Sequence, residues 1–122
     1  MVELLAKDPR VDVNQLAYGG RSPFFIACQE GHLNVVEYFA KVPRVDVNQP
    51  ENGGTTPFYI ACEEGHLAVV EFLAKDPRVD VNQPQNIDIT PLWIATQNGH
   101  LKVVKSLFAS GREIDVKKVS NF

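Results

Sequence analysis

Short apolar segments alternate along the chain with polar segments that contain glycine or proline. One apolar segment covers 57–62 and is followed by polar residues up to Gly65. A second covers 67–74, and a polar linker runs over 83–89. The apolar residues of the second segment recur three and four positions apart, which is typical of a helix that buries one face. The pattern therefore predicts pairs of short helices joined by polar loops.

This pattern is an internal repeat with a period of 34 residues. Gly-His occurs at 31–32, 65–66 and 99–100, and a Ser-Pro or Thr-Pro pair opens each unit. Residues 22–55 and 56–89 are identical at 23 of 34 positions. Repeats of this length stack side by side, because one unit cannot bury its apolar face alone.

Local signals define the helices within each unit. Thr56 suits an N-cap, because its hydroxyl can accept a hydrogen bond from a first-turn amide, and Pro57 suits the first helical position. Gly65 is predicted to end the first helix in the left-handed conformation, and Pro77 ends the second. We expect almost no sheet, and helices near 2–7, 23–30, 33–41, 57–64, 67–75, 91–98 and 101–109.

The three unit openings carry a family resemblance. They are Ser22-Pro-Phe-Phe-Ile-Ala, Thr56-Pro-Phe-Tyr-Ile-Ala and Thr90-Pro-Leu-Trp-Ile-Ala, and each is followed by Gly-His and an apolar second helix. This combination resembles the ankyrin repeat family over nearly the whole chain. The resemblance implies an all-α solenoid of stacked antiparallel helix pairs with extended finger loops.

The chain departs from the family pattern at several places. The period is 34 rather than 33, and the last unit carries one further insertion after Ser110. The histidine that the family has after Thr-Pro-Leu is replaced by Phe25, Tyr59 and Trp93. The finger glycine is present as Gly20 and Gly54 but is Asp88 in the third finger.

We interpret residues 1–122 as a single domain, and as a segment of a longer array. A half repeat at 1–21 precedes repeats that start near 22, 56 and 90, and a partial finger follows at 114–122. Apolar residues at the two ends would then lack a neighbouring repeat, which favours end-to-end self-association. These residues are Leu4, Leu5, Trp93, Leu107 and Phe108.

Composition and charge exclude several classes of function. The chain has 12 basic and 15 acidic side chains, with a net charge of -6 over 1–101 and +3 over 102–122. The acidic body repels phosphate backbones, so we expect no nucleic-acid partner. No apolar stretch approaches the roughly 20 residues of a membrane span. Two cysteines cannot form a disulfide framework, which favours an intracellular protein with reduced thiols. We expect it in the cytoplasm rather than the nucleus.

The reactive residue types have structural explanations. Equivalent positions in stacked repeats cannot converge on one ion or form one disulfide, so His32, His66 and His100 are predicted turn residues. The same argument makes Cys28 and Cys62 small buried residues. Glu63 and Glu64 are adjacent and cannot form a catalytic pair across a substrate. We therefore predict no enzymatic activity and no cofactor.

The basic residues are predicted to be solvated. Arg10, Arg44 and Arg78 each precede an aspartate by two residues, which indicates exposed ion pairs of little energetic value. A stripe that binds phosphate or acidic groups is the alternative. The basic side chains after residue 101 belong to the predicted solvated C-terminal end, and they are Lys102, Lys105, Arg112, Lys117 and Lys118.

By resemblance, the chain is predicted to bind a protein or peptide through its finger tips and the exposed ends of its first helices. Positions that differ between otherwise near-identical units are the candidate contacts, and the acidic middle unit favours a partner with a basic segment. The aromatic positions either reach this surface or fill space between helices. The alternative function is a structural spacer in a larger protein. The candidate partner-binding residues are Tyr18, Arg21, Gln29, Glu30, Asn52, Thr55, Tyr59, Glu63, Glu64, Asn86, Ile87, Ile89, Trp93, Gln97 and Asn98.

Overall fold

The computed structural model describes residues 15–116. It contains six α-helices, α1 to α6, and a short 3-10 turn at Tyr18–Gly20. The helices are Pro23–Glu30, Leu33–Ala40, Pro57–Glu64, Leu67–Ala74, Pro91–Gln97 and Leu101–Ala109. These bounds agree with the predicted ones to within one residue. The predicted helix near 2–7 and the finger residues after 116 lie outside the described residues.

The helices form two layers. The first helices of the three units, α1, α3 and α5, contact one another in order, and the second helices α2, α4 and α6 do the same. Within residues 15–116 no strand is present, apart from an isolated bridge between Ala17 and Arg21. The described residues therefore form the all-α solenoid of stacked helix pairs that the sequence predicts.

Capping of the first helices confirms the local signals. The Thr56 hydroxyl accepts a hydrogen bond from the Tyr59 amide at 3.0 Å, and Ser22 and Thr90 cap α1 and α5 in the same way. Gly65 ends α3 at φ 75°, so its left-handed conformation is as predicted. This conformation lets its amide donate to carbonyls of the last helical turn, which would otherwise be unsatisfied.

The core runs continuously through the three units. Phe24 and Phe58 occupy equivalent positions and are each 1% exposed. The Val-Asp-Val-Asn segments also contribute, because both valines of each described segment are buried. Cys28 and Cys62 are free, fully buried thiols, as expected, and burial raises the pKa of each.

Histidines link the second and the third described unit to the one before it. Nε2 of His66 lies 2.8 Å from the Gln29 carbonyl oxygen, and Nε2 of His100 lies 2.9 Å from that of Glu63. A carbonyl oxygen can only accept, so Nε2 of each ring carries the proton. The two carbonyls belong to the last turns of α1 and α3, where intrahelical donors are lacking. The turn histidines are therefore contacts between repeats.

Asparagines make a second link between units. The Asn48 side chain donates to the Arg78 carbonyl at 2.8 Å and accepts from the Asp80 amide at 2.9 Å. Asn82 makes the same two contacts with Glu113 and Asp115. The partner carbonyl lies 30 residues after Asn48 but 31 after Asn82, which confirms the extra residue in the last unit.

The apolar residues of the last unit that were expected to lack a covering neighbour are only partly exposed. Phe108 is 56% exposed, and Trp93 is partly buried. Leu107 was expected to be poorly covered, but it is 1% exposed because α6 turns it into the core. Leu101, which the sequence analysis did not single out, is 62% exposed. Leu4 and Leu5 lie outside the described residues.

Replacing two turn glycines by alanine separates backbone strain from contact between repeats. Gly65 and Gly99 both have positive φ, 75° and 74°, so alanine at either position costs about 1–2 kcal/mol of left-handed strain. A Cβ at Gly65 would also lie 2.6 Å from His100 Nδ1, whereas a Cβ at Gly99 meets no described atom within 4 Å. We expect urea denaturation to show a larger loss of unfolding free energy for Gly65→Ala than for Gly99→Ala. Equal losses would contradict the tight contact at His100.

Candidate functional site

Three hairpin-like fingers at 17–21, 51–55 and 85–89 lie side by side. In each finger the first amide donates to the last carbonyl, at distances of 2.7, 2.9 and 3.0 Å. The Asn52 amide donates to the Gly19 carbonyl at 2.9 Å, and the Asn86 amide donates to the Gly53 carbonyl at 3.1 Å. These backbone contacts fix the spacing of the finger tips.

The first two fingers need glycine at their left-handed position because of the next finger as well as their own turn. Gly54 has φ 82°, and a Cβ there would overlap Oδ1 of Asn86 in the next finger. Gly20 has the same relation to Asn52. Asp88 adopts φ 65° at the equivalent position of the third finger. The non-glycine residue therefore keeps the finger geometry at the expense of backbone strain.

The finger candidates differ in exposure. Tyr18 is 96% exposed and Ile87 57% exposed, so both are accessible apolar tips, and Asn52 and Asn86 are also exposed. Ile89 was expected to be an exposed apolar contact. That expectation is wrong, because Ile89 is partly buried and packs against the core at the base of its finger. Arg21 and Thr55 are also partly buried.

The candidates at the ends of the first helices lie in one line across the units. Glu30, Glu64, Gln97 and Asn98 are exposed, and Gln29 and Glu63 are partly buried. The Asn98 side chain donates to the Glu63 carbonyl at 3.1 Å, and the Asn86 side chain to the Asn52 carbonyl at 3.4 Å. These two amides therefore connect neighbouring units while remaining exposed.

The aromatic series mainly fills space between helices. Phe25 and Tyr59 are 2% and 4% exposed, so the interpretation of Tyr59 as a partner contact is wrong: its ring is covered by its neighbours. Burial, followed by the charge of Glu63, raises the pKa of Tyr59 to about 12. Trp93 is partly buried and keeps some accessible surface.

Three carboxylates form an acidic cluster on this face: Glu51, Glu63 and Glu64. Partial burial raises the pKa of Glu63 above its usual range, and the negative charges of Glu64 and Glu51 raise it further. Glu51 Oε1 accepts from the Thr55 amide at 2.9 Å, which holds it at the base of the second finger. Sequence analysis missed Glu51, because only the fold brings this finger residue close to α3.

Arg78 does not form the predicted pair with Asp80, the aspartate two residues later, and Arg10 lies outside the described residues. Arg78 instead contacts Asp76, with a shortest distance of 2.6 Å, and donates to the carbonyl of Ala40, the last residue of α2, at 2.7 Å. Arg112 was assigned to the solvated end, but it donates to the carbonyls of Ala74 and Val79 at 3.1 and 2.7 Å. Both arginines therefore cap the C-terminal end of a second helix in the preceding unit.

Metal sites and membrane-spanning helices are both absent between residues 15 and 116. No three histidine, cysteine or carboxylate side chains there come together in a group that could hold a metal ion. None of the described helices has the length and apolar character needed to cross a membrane.

Comparison with known families agrees with this geometry. Residues 1–85 match the family model of three ankyrin repeats, and residues 88–119 match that of a single ankyrin repeat. The chain belongs to the ankyrin repeat family, whose members are generally protein–protein interaction modules and typically non-enzymatic. No curated protein gave a significant match to the sequence.

The contact between Asp76 and Arg78 predicts a dependence of stability on pH. The hydrogen bond from the Arg78 side chain is the main cause that lowers the pKa of Asp76 below its usual value. Such a carboxylate stabilises the fold above the unfolded-state pKa, about 3.9, and this contribution is lost as pH falls through the folded-state pKa. We expect Asp76→Asn to lower the unfolding free energy at pH 7 by about 1 kcal/mol or less, since the pair is partly exposed.

Denaturation of both proteins between pH 7 and pH 2 measures this effect. The difference between wild type and Asp76→Asn should disappear at the acidic end. Asp80→Asn, which removes the carboxylate that the sequence pattern pairs with Arg78, is the matched control and should show a smaller change. A difference for Asp76→Asn that stays constant down to pH 2 would contradict the assignment.

Proposed function

We propose that this chain binds a protein or peptide segment that carries Lys or Arg, along the finger tips and the ends of the first helices. The observation that carries this proposal is the acidic cluster of Glu51, Glu63 and Glu64. Glu51 lies at the base of the second finger, Glu63 and Glu64 end α3, and the negative charges of Glu64 and Glu51 raise the pKa of Glu63. The proposed function requires neither catalysis nor a cofactor.

The electrostatics of the cluster support a cationic partner. Mutual repulsion makes the fully ionised cluster unfavourable, and a bound ammonium or guanidinium group would relieve that repulsion. Glu63 is only partly exposed, so a charge pair there is less screened by water than one on an open surface. An arginine would add two parallel hydrogen bonds to a carboxylate.

The surroundings of the cluster supply apolar contacts. Tyr18 and Ile87 project from the first and third fingers, on either side of the second finger that carries Glu51. Exposed tyrosine and isoleucine side chains can be desolvated by a partner, and tyrosine is a frequent anchor at interfaces. A partner segment with apolar residues on both sides of a basic residue would match this arrangement.

The fixed spacing of the fingers favours binding without rearrangement. Backbone hydrogen bonds connect consecutive fingers, so the tips are held before a partner arrives. Pre-organisation of this kind lowers the entropic cost of association. Between units of nearly identical sequence the tip residues differ, which is expected of a surface under selection for one partner. We also propose that the protein is intracellular, in the cytoplasm rather than the nucleus, and its two free, buried cysteines are compatible with a reducing compartment.

Affinity capture with matched charge variants tests the proposal. The biotinylated chain is used as bait in three forms: wild type, Glu63→Lys/Glu64→Lys, and Glu37→Lys/Glu113→Lys. The last pair changes the net charge equally, and both of its residues are exposed and lie outside the acidic cluster. We expect proteins retained by the wild type, identified by mass spectrometry, to be retained by the Glu37/Glu113 variant and lost from the Glu63/Glu64 variant.

Circular dichroism of the three baits shows whether each is folded. Retention of the same proteins by all three folded baits would refute the acidic cluster as the binding site. Retention of no protein above a bead control, even by the wild type, would instead favour the alternative of a structural spacer.

A further inference from the structure

An open groove of about 180 Å³ lies between the second helices α4 and α6. It lies in the second-helix layer, whereas the fingers and the acidic cluster belong to the first-helix side. The groove is lined by Glu71, Ala74, Lys75, Ser106, Ala109 and Ser110.

The repeat itself shows what the groove would accommodate. Ser106 follows Phe72 by one period of 34 residues, and Phe72 follows Tyr38 by the same interval. Tyr38 and Phe72 are partly buried and pack against the core. At the third unit a hydroxymethyl group replaces the aromatic ring, while the small Ala74 on α4 is unchanged from Ala40. Because cavities of about 150 Å³ can take up benzene, the groove has the volume of one aromatic side chain.

The charge beside the groove changes at the same unit. Lys102 and Lys105 lie one helical turn before Ser106 and Ala109, whereas the equivalent residues of α4 are Ala68 and Glu71. Both lysines are exposed, and among the described residues neither forms an ion pair. Glu71 and Lys75 balance each other, so the two lysines make the surroundings of the groove positive in a chain whose net charge is -3.

We propose that this groove binds an aromatic side chain of a partner segment that is flanked by acidic residues. The aromatic ring replaces the one that the repeat loses at Ser106, and the acidic neighbours complement Lys102 and Lys105. This surface is separate from the face proposed above, so either proposal can fail without the other.

The charges argue against occupants from this chain. A second copy that inserted its exposed Phe108 would bring its own Lys102 and Lys105 against the same positive surface. The C-terminal residues 117–122 contain Phe122, but Lys117 and Lys118 carry the same sign as the groove. Residues 1–14 contain no aromatic side chain. An acidic partner avoids this repulsion.

Titration with two short peptides tests the proposal on the full chain. The probe is acetyl-Glu-Glu-Phe-Glu-Glu-amide, and its control has alanine in place of phenylalanine. Two-dimensional ¹H–¹⁵N spectra should show saturable shifts of the amides around Ala74 and Ser106 with the probe only. The amides around Glu63 should not shift. Equal shifts with both peptides, or shifts confined to the Glu63 face, would overturn the proposal.

Two variants separate shape from charge. Ser106→Phe restores the residue type of the preceding units, so it should melt no lower than the wild type and bind the probe at least about tenfold more weakly, which is about 1.4 kcal/mol. Lys102→Glu/Lys105→Glu leaves the groove open and changes only exposed residues, and it should also bind several-fold more weakly. Unchanged affinity in either folded variant would overturn the proposal, as would a concentration-dependent dimer that Ser106→Phe abolishes.

Discussion

Helices of seven to nine residues depend on contact with the next repeat, because isolated helices of fewer than about 12–15 residues are barely stable in water. Apolar burial between units supplies most of the stabilisation, and polar side chains set the register. His66 and His100 donate to carbonyls at the ends of the preceding first helices. Arg78 and Arg112 cap the preceding second helices. Each unit thus satisfies backbone groups that its neighbour cannot satisfy alone.

This stacking also determines what the accessible surface can do. The fingers are held by backbone hydrogen bonds to one another, so their tips can vary without loss of the fold. Tyr18 and Ile87 are exposed at these tips, and the Thr55 amide holds Glu51 at the base of the second finger. Ser106 affects the other side of the stack. It stands where the preceding units have an aromatic ring, and without that ring a groove lies between the second helices α4 and α6.

Features set by local chemistry could be predicted from the sequence. Thr56, Pro57 and Gly65 define α3 through interactions with residues at most four positions away. Because the sequence repeats, the same prediction holds for α1 and α5. The features that were missed depend on residues that are distant in the sequence. Arg112 contacts Ala74 across 38 positions, and Glu51 becomes a neighbour of Glu63 only after the finger folds back. The partial burial of Ile89 depends in the same way on the core beneath its finger.

Native-state hydrogen exchange tests most directly the claim that the fold depends on contact between neighbouring repeats. Amides in α3 and α4 belong to the unit that has a described neighbour on both sides, and those in α5 and α6 belong to a unit with a described neighbour on one side. We predict the slowest exchange in α3 and α4 and faster exchange in α6, because opening of a terminal unit breaks one interface rather than two. Equal protection of α4 and α6 would contradict this account.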